Sequence, residues 1–251
     1  MGWKIEILKV ISPLEQFNIL PIIQVPFLTI TNATIILFLT VLFFVAYIKM
    51  FAKGDLTPTY WQITFESIYD TALDLAYSSI GEKGSVFFPL TFILFLFVLL
   101  CNLIGMIPYS FTVTSHLIVT FALALTTFLG FNIIGIKKHK SNFLNLLLPS
   151  GSSLALVPLL VPIELVSYIF RVISLPVRLF ANLMAGHTLL KVIAGFAWSM
   201  FTLGGIMLIL HFIPLFLLVL LFGLEIGVAL IQAYVFTILT CMYIGDALNL
   251  H

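Results

Sequence analysis

Acidic, basic and amide side chains recur at a regular interval in the otherwise apolar C-terminal part of the chain. Glu164, Arg171 and Arg178 are seven residues apart, and Glu225 and Gln232 repeat that interval further along. On a straight helix a seven-residue step drifts by only about 20°, so each series forms a single stripe. The spacing therefore predicts two helices that each carry a polar stripe through an apolar environment.

Other polar side chains extend this pattern around Arg178. Ser174 and Asn182 lie four residues before and after it and therefore share its face. His187 follows Arg178 by nine residues, which turns it about half a turn away. We expect Arg178 and His187 to serve different surfaces, whereas Lys191 can reach a membrane interface with its long side chain.

A permanent positive charge beside groups that change protonation is suited to controlling protons. An arginine stays protonated when it is buried, whereas histidine and glutamate can exchange protons near neutral pH. A fixed cation would force a mobile carboxylate to ionise, and it would stop protons from hopping straight past. Because each charge in hydrocarbon costs at least about 2.5 kcal/mol, we expect these residues to be functional.

Structural alternatives remain open for both arginines. Arg178 could form an ion pair with Glu164 or Glu225 that only fastens two helices together. Such a pair alone would not explain the polar residues that flank Arg178. Arg171 could be a functional charge, or it could be a partner that neutralises Glu164.

The composition places these residues in a membrane protein. Of 251 residues, 62% are hydrophobic and 8% are charged, and the mean hydropathy is +1.22, whereas soluble domains have about 25% charged residues. A net charge of +1 gives no indication of a nucleic-acid partner. Cys101 and Cys241 lie far apart in apolar runs, so we expect buried thiols, with no metal site and no cofactor.

The first apolar stretch long enough to cross a bilayer is predicted at 27–48. It contains no charged residue, and Lys49 and Lys53 follow it directly. About 20 apolar residues are needed for one helical span, which this stretch supplies.

A second apolar stretch is too long for one span. Pro108 divides it, so we predict spans at 86–107 and 114–136, followed by the basic cluster at 137–140. This cluster then lies on the same side of the membrane as the lysines that follow the first span. That arrangement agrees with the tendency of basic loops to stay on the side of synthesis.

Residues 57–80 have a different pattern, typical of a helix that lies on the membrane surface. The apolar residues that recur at helical spacing are Trp61, Phe65, Ile68, Tyr69, Ala72, Leu73, Ala76 and Ile80. Glu66, Asp70 and Asp74 repeat every four residues on another face. This acidic face is either solvated or in contact with another protein.

The last two helical segments, 154–198 and 206–248, are each too long to cross a bilayer upright. Gly204 and Gly205 supply a turn between them, so we predict a strongly tilted helical hairpin. The predicted fold is an all-α polytopic membrane protein that forms one membrane domain over 1–251. It has about five membrane helices plus one amphipathic surface helix.

Residues 174–187, SLPVRLFANLMAGH, closely resemble the signature of subunit a of F-type ATP synthases. The other positions that share this resemblance are Glu164, Glu225, Gln232 and the turn NLIGMIPY at 102–109. Bacterial and chloroplast relatives commonly have an acidic residue at the position of His187, and bacterial relatives often have a histidine at that of Glu225. The reverse pairing found here favours the mitochondrial branch.

The resemblance implies a stator that lies against a rotating ring of c subunits. The essential arginine of the family maps onto Arg178, which would face the ring carboxylates and separate two aqueous half-channels. The residues that would line or border these paths are Glu164, Arg171, Asn182, His187, Glu225 and Gln232. The fold implied is five membrane helices plus a surface helix, with the last two helices slanted around the ring.

The same resemblance implies the partners and the compartment. The partners are the c-subunit ring, the peripheral stalk, other membrane subunits of the Fo sector, lipid and protons. The compartment is the mitochondrial inner membrane. The chain is not expected to be an enzyme on its own, because nucleotide catalysis would take place in other subunits.

Two other functions compete with this interpretation. A secondary transporter would carry inverted repeats with broken helices in both halves, whereas the polar residues here lie in one hairpin. A structural subunit of a respiratory complex would confine its charges to loops, in contrast to the series from Arg171 to Gln232. Stable association with a ring of small two-helix proteins would distinguish a stator from both.

Overall fold

The computed structural model describes residues 12–25, 28–51, 59–81, 84–107, 110–140 and 157–248. Nearly all of these residues are helical. The seven helices in this part of the chain are α1 (Asn32–Phe51), α2 (Tyr60–Ile80), α3 (Gly84–Gly105), α4 (Leu117–His139), α5 (Val157–Leu203), α6 (Met207–Leu210) and α7 (Phe212–Leu248). A short antiparallel hairpin of strands β1 (Pro21–Val25) and β2 (Leu28–Thr31) precedes them.

Five apolar helical segments are long enough to cross a membrane. They are Asn32–Lys49, Gly84–Gly105, Leu117–His139, Pro158–Leu203 and Met207–Leu248. Helix α2 is not among them, which agrees with its amphipathic pattern. The predicted all-α fold with five membrane helices and one further helix is therefore confirmed.

The first membrane helix begins later than position 27, the start of the predicted span. Residues Leu28–Thr31 form strand β2, and α1 begins at Asn32. The Asn32 side-chain oxygen accepts hydrogen bonds from the backbone N–H groups of Ala33 (2.9 Å) and Leu20 (3.2 Å). An asparagine that satisfies free backbone donors marks a helix start, which periodicity alone could not place. Phe27 itself lies outside the described residues.

The two central spans lie close to their predicted positions. Helix α3 covers Gly84–Gly105, where the sequence indicated 86–107, and α4 covers Leu117–His139, where it indicated 114–136. A short 3-10 turn, Val113–Ser115, delays the start of α4. Pro108, the predicted break, lies outside the described residues.

Helix α2 packs on α3 through aromatic rings and small residues. The ring centroids of Tyr69 and Phe88 are 4.7 Å apart in an edge-to-face arrangement. A Cβ at Gly84 would lie 2.5 Å from the Ala76 carbonyl oxygen, so the absence of a side chain lets the two helices meet. The three acidic residues of α2 that the sequence placed on a polar face are all exposed in this chain.

The hydrophobic core lies between α3, α5 and α7. Leu175, Leu179 and Leu183 recur every four residues on α5 and pack against buried side chains of α3 such as Phe95, and against Phe236 of α7. Cys101 and Cys241 are buried and free, as expected. This packing fixes how the polar stripes of α5 and α7 are oriented.

The second arm of the long hairpin, predicted as one helical segment, is divided into two helices. Helix α5 has 47 residues and would measure about 70 Å along its axis, more than twice an apolar core of about 30 Å. Gly204 and Gly205 turn the chain with φ of 68° and 60°, which glycine adopts without strain. The second arm breaks between α6 and α7, because Pro214 cannot donate to the carbonyl of Leu210 and its ring clashes there. The predicted start of the hairpin, Leu154, lies outside the described residues.

Candidate functional site

Arg178 lies near the middle of α5 on a face that points away from the core. Its neighbours on this face, all exposed, are Ser174, Val177, Ala181, Asn182 and Ala185. Within the described residues Arg178 forms neither an ion pair nor a hydrogen bond, so the alternatives of pairing with Glu164 or Glu225 are not observed there. The described residues therefore supply no countercharge for Arg178, although an isolated cation in hydrocarbon is unfavourable.

An amide pair connects α5 and α7 one turn from Arg178. The Asn182 side-chain N–H donates to the side-chain oxygen of Gln232 at 3.1 Å. Gln232 is only 4% exposed, and its own amide nitrogen has no partner among the described groups. The pair therefore leaves one buried amide donor of α7 unpaired within the described residues.

A carboxylate and an imidazole face each other further along the same two helices. Glu225 on α7 is 5% exposed, and its Oε1 lies 3.5 Å from Nδ1 of His187 on α5. Both carboxyl oxygens and the His187 Nε2 are buried without hydrogen-bond partners in the described chain. Asn102 of α3 donates to the carbonyl of Ala229 at 3.2 Å, which fixes α7 one turn beyond Glu225. A buried acid beside a base is suited to relaying protons.

Gly186 makes room for the Glu225 carboxyl group. A Cβ on Gly186 would lie 2.7 Å from Glu225 Oε1 and 3.0 Å from its carboxyl carbon. Gly223 and Gly227 of α7 differ from Gly186, because no described atom outside their own stretch of helix lies within 4 Å of a Cβ at either position. Those two glycines lie on the side of α7 away from Glu225 and leave an open surface there, which a neighbouring helix can approach.

Gly186→Ala is expected to displace the Glu225 carboxyl group from His187. We expect passive proton flux through the assembled complex to fall several-fold, since overpacking costs about 1–3 kcal/mol. Gly195→Ala is the matched control: it lies on the same helix with nothing within 4 Å of its Cβ. Gly195→Ala should leave the passive proton flux unchanged. Equal flux in both variants would contradict the close packing of Gly186 on Glu225.

Two cavities meet at the His187–Glu225 pair. The larger, of about 740 Å³, lies between the N-terminal segment, the start of α1, the turn after α3, and helices α5 and α7. Its polar lining residues are Gln16, Asn32, Ser110, Thr112, His187 and Lys191. The smaller, of about 270 Å³, is lined by Asn182, Gly186 and Glu225. Leu190 lines both cavities, so they lie next to each other along α5.

Arg171 has a partner that sequence reasoning did not assign. Its Nη1 lies 3.8 Å from Oδ2 of Asp246, and its guanidinium carbon lies 5.2 Å from the ring centroid of Tyr243. The side chains of Arg171 and Asp246 are 33% and 51% exposed. Arg171 therefore does not neutralise Glu164, a half-buried side chain without a hydrogen bond or ion pair in the described part of the chain.

The Arg171–Asp246 pair and the His187–Glu225 pair lie at opposite ends of the bundle, with Arg178 between them. Asp246 lies close to Leu248, whose carbonyl accepts hydrogen bonds from Lys138 and His139 at the end of α4. His187 instead lies on the cavity that reaches the start of α1. Along α5, Arg171 and His187 are about 10 Å and about 14 Å from the level of Arg178.

Sequence reasoning missed Asp246, Gly186 and the N-terminal residues of the large cavity. Asp246 lies close to the end of α7, where hydration alone can account for a charge, yet Glu225, Gln232 and Asp246 are separated by seven and fourteen residues. Continuing the seven-residue interval of α7 could have found it. Gly186 belongs to the run at 174–187, but its contact with Glu225 depends on how α5 and α7 pack.

The fold and site define a class: a polytopic helical membrane protein with a fixed cation and an acid–base pair inside its longest hairpin. The family model of the ATP synthase A chain matches residues 30–245. The chain belongs to this family, which confirms the predicted resemblance to subunit a.

The similarity to individual relatives covers almost the whole chain. ATP synthase subunit a of Chondrus crispus is 50% identical over 247 residues, which is 96% of this chain and 97% of the relative. The subunit a of Pylaiella littoralis is 51% identical over 246 residues, covering 96% and 99%. That of Marchantia polymorpha is 48% identical over 250 residues, also covering 96% and 99%. The chain is thus a membrane subunit of ATP synthase, a complex to which other subunits contribute.

Proposed function

We propose that this chain is the stator of the proton-translocating Fo sector, whose two half-channels exchange protons with the carboxylates of a rotating c-subunit ring, and that Arg178 separates these half-channels. The observation that carries the proposal is an exposed arginine near the middle of α5 with no ion pair or hydrogen bond in the described chain. The small side chains of Ser174, Ala181 and Ala185 on the same face allow another helix to approach closely. A carboxylate on that helix would supply the missing countercharge.

The first half-channel of the proposal runs through the large cavity. Protons would pass from this cavity to His187 and Glu225, and then through the smaller cavity beside Asn182 and Gln232 towards the ring. The contacts that support this order are the 3.5 Å approach of His187 to Glu225 and the 3.1 Å hydrogen bond of Asn182 to Gln232. The unpartnered buried atoms of Glu225, His187 and Gln232 are groups that water or a moving proton could satisfy.

The second half-channel would open at the opposite end of the bundle. Arg171, Asp246 and Glu164 would border it, with the half-exposed Arg171–Asp246 pair holding a polar, hydrated passage between α5 and α7. Lys49, Lys137 and Lys138 lie at this end. By the tendency of basic residues to stay on the side of synthesis, it would face the matrix of a mitochondrion, with the chain in the inner membrane.

The coupling follows from the fixed charge of Arg178. A proton from one half-channel neutralises a ring carboxylate, which then turns into the lipid. A carboxylate that arrives at Arg178 is stabilised as the anion, so its proton leaves through the other half-channel. Because the guanidinium does not release its own proton, flux cannot bypass rotation. The nucleotide chemistry would take place in other subunits, and the peripheral stalk would hold this subunit against the torque.

Cross-linking to the ring tests the proposal directly. A cysteine in place of Ala181, beside Arg178, should form a cross-link to a c subunit in membranes that contain the complete complex. Leu42→Cys is the control: it is equally lipid-accessible, but it lies on α1, which does not contribute to the Arg178 face. A cross-link from Leu42→Cys alone, or from neither variant, would refute the ring-facing position of Arg178.

A further inference from the structure

The described part of the N-terminal segment, residues 12–25 and 28–31, folds back over the middle of α5. It consists of the 3-10 helix Pro13–Phe17 and the hairpin of β1 and β2. Gln16, Phe17 and Ile22 form part of the wall of the large cavity. The proposed path to His187 is therefore bounded by a segment outside the membrane helices.

Phe17 contacts the proposed proton-carrying histidine. Its ring centroid lies 6.4 Å from that of His187, with the planes at 63° in an edge-to-face arrangement. This geometry matches the preferred aromatic contact, in which a positive ring edge meets the negative face of the other ring. The imidazole thus contacts both the Phe17 ring and the Glu225 carboxyl group.

Asn32 fastens the segment in place at the start of α1. Its side-chain N–H donates to the carbonyl of Asn18 at 3.1 Å, and its side-chain oxygen accepts from the N–H of Leu20 at 3.2 Å. The backbone N–H of Asn32 also donates to the carbonyl of Leu20 at 3.1 Å. Three hydrogen bonds from one residue fix the chain that directly follows Phe17.

We propose that Phe17 is a positioning residue, which keeps the His187 imidazole directed at Glu225 instead of turned into the cavity. The inference rests on the proposed function of the His187–Glu225 pair. Nδ1 of His187 lies 3.5 Å from the Glu225 carboxylate. Its Nε2 has no partner in the described chain, so no hydrogen bond at that atom fixes the orientation of the ring. The adjoining cavity of about 740 Å³ gives the ring space to rotate when Phe17 is removed.

The first test measures how accessible His187 is, independently of activity. Intact complex in native membranes is treated with diethyl pyrocarbonate, which modifies neutral imidazole nitrogens, and the modified peptide that carries His187 is quantified by mass spectrometry. Phe17→Ala should raise the modification rate of His187, and lower proton flux, by about two- to tenfold, the range that corresponds to one edge-to-face contact. Leu14→Ala, an exposed side chain on the same 3-10 helix, should change neither.

Two further variants make the test independent of one substitution. Phe17→Leu keeps an apolar side chain without a ring edge and should show a smaller change in the same direction. Asn32→Ala releases the segment without altering the contact residue, and it should reproduce the effect of Phe17→Ala. Thr34→Val, which removes hydrogen bonds of Thr31 and Thr34 at the same helix start, should leave His187 protected.

The outcomes separate this inference from the proposed function. If His187→Gln lowers flux but Phe17→Ala and Asn32→Ala change neither flux nor modification of His187, the positioning role is refuted and the proposed function stands. If His187→Gln leaves flux unchanged, the proposed path through His187 is itself refuted. Should Phe17→Ala fail to assemble, Phe17→Leu and Asn32→Ala decide the question by the same criteria.

Discussion

Replacing Arg178 with lysine is expected to abolish ATP synthesis driven by a proton gradient. A buried ammonium readily becomes neutral, whereas a guanidinium does not, so the variant would no longer force the ring carboxylate to release its proton. The cost of an uncompensated charge at the centre of the membrane, about 2.5–3.5 kcal/mol, corresponds to a fall of about 70- to 400-fold in the coupled rate. The measurement is ATP synthesis in membrane vesicles with an imposed proton gradient.

Lys137→Arg provides the control for a change of cation type. Lys137 is exposed in the last turn of α4 and distant from α5 at the level of Arg178. We expect Lys137→Arg to leave ATP synthesis unchanged. Both variants should contain normal amounts of the assembled complex. Undiminished synthesis in Arg178→Lys, with the complex assembled, would be incompatible with the proposed role of a permanent charge.

Replacing Glu225 with glutamine is expected to slow proton flow by about 100-fold, the lower end of the range for loss of a general acid–base group. The amide keeps the shape of the side chain beside Gly186 and His187 but cannot carry a proton. Glu225→Leu should act in the same direction. Passive flux is measured in reconstituted vesicles that contain the membrane sector, after an imposed potential.

A double substitution shows whether Glu225 and His187 act as one unit. Residues that transfer a proton between them lose function non-additively, so Glu225→Gln with His187→Gln should be no slower than Glu225→Gln alone. Glu66→Gln on α2 is the control for the loss of a carboxylate, since Glu66 is exposed and bonds only to Gln62 among the described side chains. Additive losses in the double variant would indicate two separate routes.

Much of the fold could be predicted because membrane helices are specified locally. Each span needs a sufficient length of apolar residues, and this length can be counted without knowing any tertiary contact. The boundaries were less accessible, since they depend on single hydrogen bonds such as that from Leu20 N–H to Asn32. The break before α7 could be predicted in principle, because Pro214 has no N–H to donate to the carbonyl of Leu210.

The candidate site was predictable in its residue types and only partly in its contacts. The four-residue spacing placed Arg178 and Asn182 on one face, and the structure shows both exposed, away from the core leucines of α5. It could not show that Arg171 pairs with Asp246, since the two residues lie on different helices far apart in sequence. That contact depends on how α7 is rotated and shifted against α5.

The sequence by itself determined that the chain is a membrane protein, which helices carry ionisable stripes, and that two arginines stand among residues able to exchange protons. These properties follow from composition and helical periodicity, which need no knowledge of neighbouring elements. Only the tertiary structure decided that Glu225 meets His187 over Gly186 and that Phe17 covers the imidazole. The reason is physical: periodicity fixes a direction around each helix axis, whereas contacts between helices depend on packing among residues distant in sequence.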